Sequence, residues 1–209
     1  ERDRRPSMCP ALSVTIGRPI CARMLLNIAF LDDATRPPVQ KLEGLTEAQR
    51  APGLHLRMVH DHLRDNMKTL GKLIERASGG GVTRAEIAAE TDNLAIVSNY
   101  RRFGNLCGQH CQIVHTHHSI EDYAIFPALA QQGAGFKAIA DRLRAEHVVV
   151  HELLERLVDA LNALAAEPTE VRFEDAKTVY QALERVLLSH LGYEEDAMGD
   201  ALGYFGIGG

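Results

Sequence analysis

The chain has 209 residues, 45% of them apolar and 24% charged, which is enough to bury one substantial core and too apolar for a disordered chain. With 23 Lys+Arg against 28 Asp+Glu the net charge is −5, so there is no electrostatic reason to expect nucleic acid or an anionic membrane as partner. Four cysteines without a C-x2-C pair exclude a thiolate zinc cluster and argue against a disulfide framework, in keeping with a cytoplasmic protein.

Residues 1–53 are irregular in pattern. Pro6, Pro10, Pro19, Pro37, Pro38 and Pro52 interrupt any long helix, and the stretch reads as an arm draped over the core or over a neighbouring subunit. Its apolar run from Met24 to Leu31 is too short to span a bilayer, and Asp32-Asp33 stand where a signal-peptide cleavage site needs small residues. From residue 54 the pattern becomes helical. A first helix is expected over 54–77, stopped by Ser78-Gly79-Gly80-Gly81, and Thr83-Arg84-Ala85-Glu86 is a capping box that opens a short helix. A second long helix runs from Asp92 to about residue 130, before Gly133 and Gly135. A third covers 136–166 and stops before Pro168, and a fourth covers 171–202 and frays into Gly203, Gly206, Gly208 and Gly209. No strand-like alternation competes with this pattern. The expected fold is all-α, an antiparallel four-helix bundle over 54–209 behind the irregular arm at 1–53.

The helical period decides which polar side chains look inward. His60 shares a stripe with Leu56, Leu63, Met67, Leu70 and Ile74, whereas His55 and His62 fall off it. On the second helix His117 and Glu121 run with Phe103, Leu106, Ile113, Val114 and Ala128; His110 shares that stripe, His118 is about a quarter turn off, and His115 is on the far side. His147 and His151 run with Leu143, Val150, Leu154, Leu157 and Leu161. His190 and Glu194 run with Val179, Leu183, Val186, Leu187, Ala197 and Ala201, with Tyr193 at the edge. Any one inward histidine is more often hydrogen-bonded to a carbonyl than to a metal. The pairs His117–Glu121, His147–His151 and His190–Glu194 are stronger, because an i,i+4 spacing sets two donors about 6 Å apart on one face. Five imidazoles and two carboxylates in one core need partners. Imidazole and carboxylate without thiolate select iron, manganese or zinc. Seven donors are too many for one ion and suit two, with the carboxylates bridging. A Glu-x-x-His motif of the ferritin type is absent, and so is H-E-x-x-H.

These residues resemble the hemerythrin-like, HHE cation-binding family. The matching motifs are His117-His118-Ser119-Ile120-Glu121-Asp122 with Ile125-Phe126-Pro127, Glu146-His147 with His151, and His190-x-x-Tyr193-Glu194-Glu195; His60-x-x-x-Arg64 resembles the family's first-helix histidine. The resemblance covers roughly 54–202 and implies an oxo- or hydroxo-bridged centre of two iron ions held in a four-helix bundle. Two departures stand out. The last carboxylate of the oxygen-carrying members lies five residues after its histidine, where this chain has Glu195; helical phase favours Glu194. Tyr193 shares a face with His190 and is a further candidate ligand, its alternative being a hydrogen bond to a ligand.

The implied function is that of a non-haem di-iron protein whose partners are small diatomic or peroxide ligands. The resemblance implies reaction with nitric oxide, hydrogen peroxide or dioxygen, peroxidase-like and linked to oxidative or nitrosative stress, with an electron donor the sequence does not name. A dioxygen, nitric oxide or iron sensor, an iron-handling protein and a bundle with structural zinc are the alternatives. His110 and Cys107 are candidates for a channel lining or a redox-active shell, although for Cys107 and Cys111 plain packing is the preferred reading.

Overall fold

The computed structural model describes residues 26–78, 110–167 and 169–208, and these contain helices and turns but no strand. Residues 1–25, the capping box at 83–86, the opening of the second helix at Asp92, and Phe103, Leu106 and Cys107 lie outside them, as does the side chain of Ile74. Four long helices carry the fold: α1 (Glu47–Ser78), α2 (residues 110–130), α3 (Ala134–Ala166) and α4 (Glu170–Tyr204).

α1 starts seven residues before the expected 54 and runs through Pro52. An interior proline costs a helix about 3 kcal/mol, and two features offset it. Thr46 and Gln49 form a capping box, the Thr46 hydroxyl accepting from the Gln49 N–H and the Gln49 side chain accepting from the Thr46 N–H. The first turns of α1 also lie hard against α4: a Cβ on Gly53 would overlap the Gly199 carbonyl, and one on Gly203 would overlap the Gln49 carbonyl. Further along, the Tyr180 hydroxyl on α4 donates to the Met67 carbonyl on α1 at 2.7 Å. α4 opens on Thr169, whose hydroxyl accepts from the Arg172 N–H.

α2 is not a regular α-helix throughout. Over Glu121–Ile125 it widens into a π-helical turn, with the Phe126 N–H bonded to the Glu121 carbonyl, and then resumes over Phe126–Ala130. Pro127 supplies the reason. It has no N–H to give the Tyr123 carbonyl, and its ring would collide with that carbonyl in a regular helix.

The buried apolar residues fall into two clusters. One gathers Leu63, Met67, Leu70, Val114, Val150, Leu153, Leu183, Leu187 and Leu191; the other gathers Leu56, Phe126, Leu129, Ile139, Leu143, Ala197 and Met198. On each helix the boundary between them falls at a polar residue: His60 between Leu56 and Leu63, His118 between Val114 and Phe126, His147 between Leu143 and Val150, and Glu194 between Leu191 and Ala197. The described part of the arm, residues 26–46, lies against α3 and α4. Arg142 donates to the Asp32 carbonyl and the Thr35 hydroxyl, and Ser189 donates to the Asp33 carboxylate.

Candidate metal centre

Between the two apolar clusters, seven side chains converge. His60, His117, Glu121 and Glu194 form one group and His118, His147 and His190 another, and within each group the donor atoms all lie within 4.8 Å of one another. His60, His118, His190 and Glu194 have no measurable exposure. The Nε2 atoms of His60 and His117 approach to 3.0 Å. His118 and His147 stack face to face, 3.7 Å between centroids.

The two carboxylates reach across both groups. Glu121 lies 3.3 Å from His117 Nε2 through Oε1 and 3.7 Å from His147 Nε2 through Oε2. Glu194 Oε2 lies 3.5 Å from His60 Nε2 and 3.3 Å from His190 Nε2. These approaches couple the groups electrostatically without meeting hydrogen-bond geometry. The four carboxylate oxygens and the Nε2 atoms of His118, His147 and His190 are buried and find no hydrogen-bond partner in the protein. Seven unsatisfied polar atoms in one place would cost several kcal/mol together. Their types, imidazole nitrogen and carboxylate oxygen, suit iron, manganese or zinc.

The opposite ring nitrogens are tied down. His60 Nδ1 donates to Glu195 at 2.9 Å, His147 Nδ1 to Asp122 at 3.1 Å, His190 Nδ1 to Glu146 at 3.0 Å, and His118 Nδ1 lies 3.0 Å from His151 Nε2. The three carboxylate contacts hold a proton on Nδ1 and turn Nε2 of His60, His147 and His190 toward the cluster, and the His151 contact orients the His118 ring in the same way. The carboxylates behind the rings are themselves held. Glu195 takes Arg64 at 2.7 Å and Arg57 at 3.3 Å, and Glu146 takes Arg36 at 2.8 and 3.0 Å and Arg142 at 2.6 Å.

Burial and neighbours set the protonation. Burial, with the surrounding histidines, pushes His117 down to about 4 and His118 well below its usual value, so both are neutral at pH 7. His60 and His147 are lowered by burial as well. Burial would lower His190 too, but Glu146 and Glu194 outweigh it and raise His190 to about 9. Glu146 is raised by burial and more than compensated by His190, Arg36 and Arg142, which hold it at about 2. Of the adjacent buried pair, Glu121 is pushed well up by burial and by Glu194. Burial acts in the same sense on Glu194, yet His190 and His60 keep it ionised.

The profile of the hemerythrin HHE cation-binding domain matches residues 55–202. The chain belongs to the hemerythrin HHE cation-binding family. No curated protein and no solved structure shows significant similarity to it.

Six of the eight donors expected from sequence converge in this hemerythrin domain: His60, His117, Glu121, His147, His190 and Glu194. Glu194 is in the cluster and Glu195 stands behind His60. Two expected donors are not brought there. The Tyr193 hydroxyl donates to the Pro37 carbonyl at 2.9 Å under the Arg36 guanidinium, so the arm turns it away from the cluster. His151 is half-buried and, of the cluster, its hydrogen bond reaches the far nitrogen of His118. His118, a quarter turn off the stripe by helical phase, takes the inward position instead. The helical stripe on α2 passes through Val114, His118 and Glu121, and Ile113 is 37% exposed. His110 is buried on the same helix, its two ring nitrogens without partners among the described residues, and burial beside His62 pushes it down to about 4. It belongs to neither donor group. No helix among the described residues is long and apolar enough to cross a membrane.

Proposed function

We propose that this hemerythrin domain holds two iron ions, His60 and His117 serving one and His118, His147 and His190 the other, with Glu121 and Glu194 reaching both. When bound, the pair would supply redox chemistry toward hydrogen peroxide, nitric oxide or dioxygen, each ion giving one electron that an external electron donor restores, and a peroxidase-like role in oxidative or nitrosative stress is the reading we favour. The observation that carries it is the pair of carboxylates, each within 3.7 Å of an imidazole in both histidine groups while making no hydrogen bond in the protein. A single structural ion would leave one histidine group unused.

The chain's own residues then have distinct tasks. Asp122, Glu146, Glu195 and His151 orient the rings, the two apolar clusters keep water from the donors, and Glu121 holds a proton that a cation must displace. An antiparallel bundle over 54–209 is the arrangement we infer. It is supported by the pairing of Gly53 with Gly199 and of Gly71 with Tyr180, which run in opposite directions along α1 and α4.

Metal analysis and a visible spectrum of aerobically purified protein, followed by peroxide and nitric oxide consumption, test the reading. Two irons per chain and, with an external one-electron reductant supplied, multiple turnovers that are lost in Glu121→Ala are expected. Two irons with tight ligand binding and no turnover would move the assignment to a sensor. Colourless protein carrying zinc would sink the redox reading.

A further inference from the structure

Apart from His117, whose side chain is 11% exposed, four rings of the cluster have a far nitrogen anchored by a neighbour, and among the described residues each anchor marks one outer approach. Three are guarded by arginine. Arg57 and Arg64 stand at Glu195 behind His60, and Arg36 and Arg142 at Glu146 behind His190. Arg144 donates to the carbonyl of Asp122, whose carboxylate holds His147. A cation approaching by these routes meets like charge. The fourth approach differs. Behind His118 stands His151, and beyond it opens a groove of about 260 Å³ between α2 and α3, lined by Cys111, His115, His151, Glu155 and Asp159 and, among the described residues, by no arginine or lysine.

The donors of this groove come in helical register. Cys111 and His115 are four apart on α2, and His151, Glu155 and Asp159 are successive i,i+4 positions on α3, so each helix offers one face of ligands to the other. The His115 and His151 rings already lie 5.0 Å apart. Unlike the buried groups, no three of these donor atoms are within 4.8 Å of one another. His115, Glu155 and Asp159 are exposed and able to turn, while Cys111 and His151 are half-buried. Ligands that must first gather bind weakly and release readily, because the ordering cost is met only on binding.

We infer that this groove is an external, exchangeable site for a borderline divalent cation such as ferrous iron, from which the ion passes inward by way of His151 to His118. A thiol, two imidazoles and carboxylates suit that class of ion. Binding releases the Cys111 thiol proton to solvent, and inward transfer is a ligand exchange without redox change. Among the described residues, His151 is the one group common to the groove lining and to the outer contacts of the buried donors. The transfer step rests on the buried centre being a metal site.

The test uses the metal-free full-length chain, loaded with cobalt(II) or anaerobic ferrous iron in a stopped-flow instrument. Wild type, Cys111→Ser/His115→Ala and Glu155→Gln are compared; none of these positions is among the buried donors. Loading about tenfold slower in the double variant, with the same final two ions per chain, is expected. Wild type with its buried donors already filled should take up one more cobalt, giving a thiolate-to-cobalt charge-transfer band that Cys111→Ser abolishes. Loading at the wild-type rate in the variants, or absence of the band, would overturn the groove assignment alone. A chain that shows the band yet never fills the buried donors would overturn both the centre and the transfer.

Discussion

His118→Ala and His151→Ala form the most discriminating pair of substitutions. His118 is fully buried, stacked on His147, and its Nε2 faces the cluster without a partner; His151 is half-buried and meets the cluster through the far nitrogen of His118. Removing His118 takes one of the three imidazoles from its group, leaving that ion two histidines and the shared carboxylates. Metal content should fall from two ions per chain to one. Removing His151 deletes a contact that orients a ligand, which weakens metal binding on the order of 10- to 100-fold, or about 1.4–2.7 kcal/mol. That variant should retain two ions after desalting and lose one of them faster to a competing chelator. Elemental analysis gives the first quantity and chelator competition the second, with circular dichroism to verify helix content. One ion in His151→Ala and two in His118→Ala would refute the assignment of His118 to the centre.

The remaining predictions concern pH and packing. In the metal-free protein His190 sits at about 9 against an ordinary 6.5, so its contribution is fully present below pH 6.5 and is lost as pH rises through 9. Glu146 sits at about 2 against 4.5, so its contribution is present above pH 4.5 and is lost as pH falls through 2. Melting temperatures of metal-free protein should therefore decline at both ends, and the alkaline decline should flatten once a cation has replaced the His190 Nε2 proton; equal alkaline slopes with and without metal would contradict this. Gly203→Ala drives a methyl into the Gln49 carbonyl, and overpacking of this kind costs about 1–3 kcal/mol. Thermal unfolding should register the loss, and an unchanged midpoint would show that α1 and α4 are not pressed together there.

Much of the centre is legible in the sequence because the helical period is a strong constraint where a helix is regular. His60, His147, His190 and Glu194 each sit on a stripe of buried leucine, valine or alanine that the sequence displays openly. Elsewhere phase is a poor guide. His151 comes four residues after His147, an advance of about 40° past a whole turn, and at the edge of the α3 stripe that suffices to turn it from the donors. On α2 an inward line drawn through Ile113, which is exposed, misses His118. His117 and His118 both contribute because the cluster is wide enough to receive neighbouring positions, one for each group. The π-helical turn just beyond them makes the same allowance for Glu121, which points inward, and Asp122, which takes His147. Pro127 is the one signal for that turn in the sequence. The start of α1 is obscured by Pro52, whose cost is visible in the sequence while the Thr46–Gln49 cap that offsets it is easily passed over. Nothing in the sequence alone indicates that the arm meets the centre, since Arg36 and Glu146 are 110 residues apart.

That last contact bears on where the protein's working unit ends. The family match begins at residue 55, yet Arg36 neutralises the carboxylate behind His190, and Pro37 holds Tyr193. A fragment trimmed to the family boundary would keep every inward donor and lose part of the charge balance around them. Arg142 would then be the one arginine left at Glu146 among the described residues, beside His190, and Tyr193 would lose its Pro37 partner. The family's shared segment supplies the clustered donors, while this chain's own preceding residues adjust the field around them. Two members with identical donor sets could thus differ in metal affinity or potential through sequence that no comparison of their domains would include.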